Sequence, residues 1–248
     1  MEFAKRSFRI AAAFGLIVSV LTIHFGDEAG YLVAKDQPTK MAAMEAIWET
    51  QPAPAPMTVF GWPNEEEQQT KHAVEIPWLL GIIATRSLDT DMVGIKDLVE
   101  QNKARVQNGI LALETLTALR KDPTNSTLKK RFAQYEKDLG YGLLLKKYTS
   151  EPSRATPEII EKAARDTIPG VTLMFWGFRI MVGCGVALLL IFGLSFYYSA
   201  KNIIVSRGWL LKACVLALPL PWLACEFGWM VTEYGRQPWS IYEILPVH

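Results

Sequence analysis

The chain has 248 residues, 50% of them hydrophobic and 21% charged, so average composition fits a globular protein as readily as a membrane protein. A formal net charge of +1 without a sustained basic block argues against a nucleic-acid footprint. Cys184, Cys214 and Cys225 all lie in apolar stretches, which suits small buried side chains and argues against a disulfide framework, and no Cys and His spacing matches a zinc site.

Distribution decides the class. Ile10 to Gly26 and Ile180 to Ala200 contain no Asp, Glu, Lys or Arg, and Ala213 to Met230 contains only Glu226. A bilayer core roughly 30 Å thick needs about 20 apolar helical residues, so each stretch predicts a span. The expected class is an all-α integral membrane protein: three transmembrane helices with a mostly helical outer loop domain. Lys5, Arg6 and Arg9 precede the first span, and Lys201, Arg207 and Lys212 lie between the second and third, so both places are expected on the cytoplasmic side. The expected organisation is a first span over 1–26 and an outer domain over 27–170. A second span over 171–200, a cytoplasmic connection over 201–212, a third span over 213–232 and an outer tail over 233–248 complete it. A basic start before an apolar run also fits a secretory signal, although Ile23-His24-Phe25-Gly26 offers no small-x-small cleavage pattern.

Within the outer domain, Thr39 to Glu49 after Pro38 predicts a short helix, and Gln51-Pro52-Ala53-Pro54-Ala55-Pro56 an extended polyproline spacer. Phe60-Gly61-Trp62-Pro63-Asn64 has turn chemistry, and Glu65, Glu66 and Glu67 form a solvated acidic patch. Ile76 to Ala84 is apolar but too short to span, and is expected to rest on the membrane surface or the spans, or to form a buried loop. From Asp91 to Lys121 the positions Val99, Val106, Ile110, Leu113 and Leu116 recur at helical spacing, and Asp122-Pro123 ends that helix. A second helix is expected from Ser126 to Leu139, stopping at Gly140-Tyr141-Gly142, and a third opens with Thr156 as N-cap and Pro157 at its first position. No period repeats along the chain, which excludes a solenoid.

Several residues suggest chemistry. Gly177, Met181 and Gly185 are four apart on one helix face, so a thioether projects from a surface that a flat porphyrin can approach. Small residues at that spacing also serve close helix packing. Arg179, near a span's outer end, either snorkels or neutralises an anion such as a haem propionate. Glu226 and Glu233, seven apart, share nearly one face, and a carboxylate in an apolar stretch must be paired, protonated or bound to iron. Trp229, Tyr234 and Trp239 fit an interfacial aromatic belt. Lys40 and Glu45 flank the short helix after Pro38. A quinol-oxidising site needs a cation and a carboxylate to hold two ring hydroxyls and take their protons, although residues five apart do not share a face.

Taken together, Gly235-Arg236-Gln237-Pro238-Trp239 after a span, Phe178-Arg179-Ile180-Met181 within one, and Lys35-Asp36-Gln37-Pro38-Thr39-Lys40-Met41-Ala42-Ala43-Met44-Glu45 followed by Trp48-Glu49-Thr50-Gln51-Pro52-Ala53-Pro54 resemble subunit I of the cytochrome bd quinol oxidases. The resemblance runs from Phe3 to nearly the end. It implies a terminal oxidase of the bacterial inner membrane, multi-pass, serving aerobic electron transport. Ubiquinol or menaquinol is oxidised at the periplasmic face, and electrons pass through b haems toward haem d, where oxygen is reduced to water. The domain over 27–170 then corresponds to the periplasmic quinol-binding loop, with Lys40 and Glu45 at the quinol. Met181 falls on an axial ligand of low-spin haem b, and Arg179 lies beside that haem. Glu233 falls on the acidic residue of high-spin haem b, with Trp229 and Arg236 in the region it shares with haem d. Implied partners are subunit II, small accessory subunits, quinol and membrane lipid. The family also has further N-terminal spans supplying histidine ligands, and another span after the Gly-Arg-Gln-Pro-Trp region. Here His24, His72 and His248 are the histidines, and none falls on a ligand position. The expectation is therefore a truncated or split product, inactive alone, with haem d shared with an N-terminal half. The alternatives are a non-catalytic receptor or scaffold with an outer ligand-binding domain, or a degenerate remnant.

Overall fold

A computed structural model describes residues 2–247; His248 lies outside the described residues. Helix accounts for about 68% of the chain, in keeping with the expected class. Two compact units divide it: Met1–Leu32 with Trp176–Val231, and Val33–Phe175 with Thr232–His248.

Among the described residues, three helical segments are long and apolar enough to cross a membrane. Helices α1 (Glu2–Asp36) and α7 (Val171–Ala200) are continuous. At 1.5 Å per residue, 30 residues reach about 45 Å, so α7 outruns a hydrocarbon layer of roughly 30 Å. The third segment, Gly208–Tyr234, is not one uniform rod. It divides into α8 (Gly208–Leu216) and α9 (Leu220–Tyr234), because Pro219 and Pro221 have no N–H to continue the ladder.

Most of the first unit's apolar surface is exposed, including Phe14, Ile17, Leu190, Leu216, Leu218 and Trp222. Lipid or another apolar surface must cover such a face, since water would not sustain it. Its helices meet at small residues: a Cβ on Gly15 would lie 2.7 Å from the Phe192 ring. Arg9 donates to the Ser199 carbonyl at 2.6 Å and to Asn202 Oδ1 at 2.5 Å, placing a cation at the C-terminal end of α7, where carbonyls lack helical partners.

The second unit begins with α2 (Pro38–Glu45), which has Pro38 at its first position. Ala46 turns left-handed, at φ 52°, and its N–H bonds back to the last carbonyls, so the helix stops four residues short of the expected Glu49. Ile47 and Trp48 instead accept backbone bonds from Ile95 and Lys96. The proline run is packed in place: Gln51 bridges Met92, the Ala53 N–H donates to Asp91 at 2.8 Å, and Ala55 is buried.

Phe60-Gly61-Trp62-Pro63-Asn64 is strand, which corrects the turn expected there. Strands β1 (Met57–Asn64) and β2 (Gln69–Ile76) pair antiparallel, with Phe60 opposite Val74 and Trp62 opposite Lys71. Aromatic and β-branched residues favour the pleat, and Pro63 is tolerated near the end of a two-stranded ribbon. The turn falls at the acidic residues, where Asn64 Oδ1 accepts from the N–H groups of Glu66 and Glu67, each at 3.0 Å. Beyond β2, Gly81–Thr85 forms a π-helical turn with Leu80 and Ala84 buried while Trp78 and Ile82 are exposed.

Helix α3 (Ile95–Lys121) is the axis of this unit. It starts later than Asp91 because Met92 is committed to Gln51 and Gly94 is the N-cap. Asn125 caps α4 (Ser126–Tyr135), accepting from Thr127 and Leu128. The chain does not stop at Gly140: a 3₁₀ turn, Glu136–Asp138, leads into α5 (Leu139–Leu144). The glycines there serve close approach. A Cβ on Gly109 of α3 would collide with the Gly142 backbone of α5, and one on Gly140 would collide with the Glu243 carbonyl. Helix α6 (Pro157–Arg165) opens as expected, with Thr156 accepting from Ile159 and Pro157 at its start. Val106, Tyr141, Leu144, Leu145, Ala163 and Trp239 form a buried core, and a short hairpin of β3 (Trp239–Ile241) and β4 (Leu245–Pro246) closes the chain.

Candidate functional site

Every residue of α2 from Thr39 to Glu45 is buried, including both charged ones: Lys40 is 6% exposed and Glu45 3%. Burying an ammonium is costly unless partners surround it. Lys40 Nζ reaches toward the Thr232 carbonyl at a long 3.5 Å, in the last turn of α9, where the helix presents the negative end of its dipole. Burial lowers the Lys40 pKa from its ordinary 10.5; the charge of Glu233 resists that shift and the charge of Arg236 adds to it. The result is a lysine that gives up its proton more readily than one in water.

Glu233 and Arg236 are themselves bonded, and Arg236 Nη1 also donates to the Ser240 carbonyl at 3.2 Å. The chain folds back here because α9 ends at Tyr234; the N–H of Gln237 then bonds to the Tyr234 carbonyl and that of Trp239 to Arg236. Lys40, Glu233 and Arg236 therefore share one electrostatic neighbourhood. Tyr234 and Trp229 are exposed, but Trp239 is not at a membrane interface. It is buried in the domain core with its ring centroid 5.0 Å from that of Tyr141, a correction to the belt expected from sequence.

A polar network beside Trp239 went unrecognised in the sequence. Arg105 donates from Nε to Asp138 at 2.8 Å, from Nη1 to the Tyr141 hydroxyl at 2.9 Å, and from both terminal nitrogens to Glu243, with Nη2 at 2.8 Å. The Tyr141 hydroxyl lies 2.9 Å from Glu243 Oε1 and 3.3 Å from Asn102 Oδ1, and Asn102 Nδ2 donates to Thr167 at 2.7 Å. Burial, with the Glu243 charge adding to it, pushes the Tyr141 hydroxyl far above its ordinary range, so it remains protonated and able to donate. The network ties the β3–β4 hairpin to α3 and α5, and thereby fixes the segment that carries Arg236. The one sequence signal was Gly140-Tyr141-Gly142, whose paired glycines mark close backbone approach as well as they mark a stop.

In the first unit, Met181 is half-buried on α7, and a Cβ on Gly228 of α9 would sit 3.0 Å from its sulfur. Gly177 is a packing residue: a Cβ there would collide with the Met230 methyl and come within 3.2 Å of Val231. Gly183 and Gly185 differ, since no heavy atom lies within 4 Å of where a Cβ would be. Met181 thus has Gly228 of α9 close to its sulfur and, one turn along its own face, the open Gly185. A thioether with an unobstructed glycine one turn along its face is the donor chemistry that a haem iron accepts. Glu226 and His24 are exposed, and among the described residues no three His, Cys, Asp or Glu side chains converge as a metal site.

Residues 1–248 match the family described as cytochrome bd terminal oxidase subunit I. Cytochrome bd-II ubiquinol oxidase subunit 1 of Escherichia coli (strain K12) is 42% identical over 245 residues, covering 99% of this chain and 48% of that protein. Cytochrome bd ubiquinol oxidase subunit 1 of Bacillus subtilis (strain 168) is 26% identical over 99% of this chain and 40% of its own length. A putative cytochrome bd menaquinol oxidase subunit I from the same organism is 26% identical over 98% of this chain and 40% of its own. The chain spans less than half the length of these curated relatives. Strings scattered from α2 to the β3–β4 hairpin thus agree with a match over the whole sequence, and the chain belongs to the cytochrome bd terminal oxidase subunit I family.

Proposed function

We propose that this chain forms the quinol-oxidising side of a cytochrome bd oxidase, taking electrons from ubiquinol or menaquinol at the periplasmic face of the bacterial inner membrane. The observation that carries this is the burial of two opposite charges, Lys40 and Glu45, on one eight-residue helix, with Lys40 in the field of Glu233 and Arg236. Opposite charges sequestered on one short helix are a candidate for binding something polar. Quinol oxidation releases two protons and two electrons. In this proposal Lys40 donates a hydrogen bond to one ring oxygen and orients it, while the Glu45 carboxylate takes a proton from a hydroxyl.

Bound haem would supply one-electron transfer. The residues of this chain that would hold it are Met181, as a thioether ligand of low-spin haem b, and Arg179, as partner to a propionate. Glu233 would serve high-spin haem b, with Arg236 and Trp229 in the region shared with haem d. Protons leave on the outer side while electrons move inward, separating charge across the membrane. Oxygen reduction to water, subunit II and small accessory subunits belong to the same proposal; the relatives' names support it in so far as they call those proteins subunit 1 of a ubiquinol oxidase.

The test uses the chain purified from membranes with whatever polypeptides accompany it. Met181→Leu should remove the low-spin b-haem band from the reduced spectrum. Lys40→Met and Glu45→Gln should leave that band in place and lower quinol-driven oxygen uptake by about 10²–10⁴-fold. A colourless preparation, or a spectrum indifferent to position 181, defeats the proposal.

A further inference from the structure

Helix α2 is short, and Lys40 lies in its first turn. Among the described residues, Gln37 occupies the N-cap without a side-chain bond to the helix, so the turn that presents Lys40 lacks the restraint a side-chain cap would give. The restraint comes instead from the β3–β4 hairpin. The hydroxyls of Thr39 and Tyr242 share a hydrogen bond of 3.2 Å, one residue before Lys40 on one side and one before Glu243 on the other. Tyr242 sits in the turn between β3 and β4, and that turn is gripped from two further sides. Arg105 of α3 donates to Glu243 from both terminal nitrogens, and the Tyr141 hydroxyl of α5 donates to it at 2.9 Å. The Glu243 carbonyl also lies so close to Gly140 that a Cβ there would collide with it. Tyr242 is half-buried, its ring centroid 6.5 Å from that of Trp239. Burial holds its hydroxyl above the ordinary tyrosine range, with the Thr39 bond opposing that shift, so the group keeps its proton at neutral pH.

Lys40 depends on this grip because its own contact is marginal. Its Nζ is 3.5 Å from the Thr232 carbonyl, at the limit of a hydrogen bond, while the residue is 6% exposed. A small displacement of the first turn of α2 breaks that bond and lets water reach the ammonium. One stretch of chain, 232–243, thus supplies both the carbonyl that receives Lys40 and the hydroxyl that holds its neighbour Thr39.

We propose that Tyr242 is a positioning residue for the quinol site: through the Thr39 hydroxyl it fixes the first turn of α2 and so keeps Lys40 sequestered beside Thr232. The inference rests on the reading that Lys40 meets quinol, and two separate measurements keep the two apart. Reductive methylation of the purified assembly, read by mass spectrometry on the peptide carrying Lys40, reports sequestration without any quinol. Tyr242→Phe and Thr39→Val should each speed methylation of Lys40 by about 3–10-fold, the factor that follows from one lost neutral hydrogen bond. Thr39→Ser, which keeps a hydroxyl, should match the wild type, and Tyr242→Phe combined with Thr39→Val should be no faster than either alone. In oxygen uptake driven by a short-chain ubiquinol, Tyr242→Phe should raise KM by a similar factor and leave kcat within about twofold, whereas a loss of folded protein would lower kcat and spare KM. Methylation indifferent to Tyr242→Phe and Thr39→Val, or effects that add in the pair, overturns the proposal, as does an unchanged KM while Lys40→Met cripples uptake. Uptake indifferent to Lys40→Met refutes the quinol reading instead, and faster methylation then still upholds the hold of Tyr242 on α2.

Discussion

Replacing Glu243 with Ala and Arg105 with Met, singly and together, measures how firmly the outer domain holds the segment carrying Arg236. The pair makes two parallel N–H to carboxylate bonds, and the two side chains are 29% and 27% exposed, so solvent screens it in part. Removing one partner of a fully buried pair costs about 3–5 kcal/mol, and this exposure reduces the expectation to about 2–3 kcal/mol for Glu243→Ala. Alanine is chosen over glycine because Glu243 sits at φ 59°, where glycine would relieve backbone strain and mask the loss. Arg105→Met also forfeits Asp138 and should cost at least as much. Since the two substitutions delete the same bonds, the double variant should fall short of the sum by about 1.5–2 kcal/mol. At about 2–4 °C per kcal/mol for a domain of this size, Glu243→Ala should lower the midpoint by about 5–10 °C, read by circular dichroism on the full chain in detergent. Effects that add within about 0.5 kcal/mol would show that the pair is not coupled and that the hairpin is held by Trp239 alone.

Lys40→Met should raise thermal stability by about 1 kcal/mol, because it removes a buried charge, and on the proposed function should lower quinol oxidation. The wild type binds fewer protons at Lys40 than the unfolded chain does between its lowered pKa and 10.5, so its stability should climb with pH across that window, and Lys40→Met should flatten the climb. Asp166 is the opposite case. Burial pushes its carboxyl up, but bonds from Lys147 and Tyr148 outweigh that and lower it below 3.8. Its contribution is then full above 3.8 and lost as pH falls through the lowered value, so Asp166→Asn should blunt acid destabilisation, followed by circular dichroism against pH. Gly142→Ala drives a Cβ into the Gly109 backbone and should cost about 2–3 kcal/mol, seen as a lower midpoint.

The spans were legible because lipid imposes one rule on every residue: a run either lacks charges for long enough to cross or it does not. Thr156-Pro157 was legible for a similar reason, since a cap and a proline act within one turn and need no distant partner. Phe60-Gly61-Trp62-Pro63-Asn64 was misjudged because glycine, proline and asparagine signal a turn locally, while the pairing that makes the segment a strand depends on residues 69–76. The site divides along the same line. Lys40, Glu45, Met181 and Glu233 could be named from the strings that carry the resemblance, but nothing in a five-residue spacing reveals that α2 is buried from Thr39 to Glu45.

Burial of α2 also changes what its charges mean. A lysine and a glutamate on a solvated helix would be unremarkable, and a search by sequence spacing would pass over them. On a sequestered helix next to Glu233 and Arg236, the same two residues are expensive, and their cost must be offset within the unit that holds them. Arg105, Tyr141 and Glu243 clamp the tail that carries Arg236, which bonds Glu233 at the end of α9; the Glu233 charge supports the Lys40 ammonium and the Arg236 charge opposes it. These supporting residues lie 36 and 138 positions apart along the chain, counted from Arg105. No local pattern joins them, and they became visible only once α3, α5 and the β3–β4 hairpin were folded together.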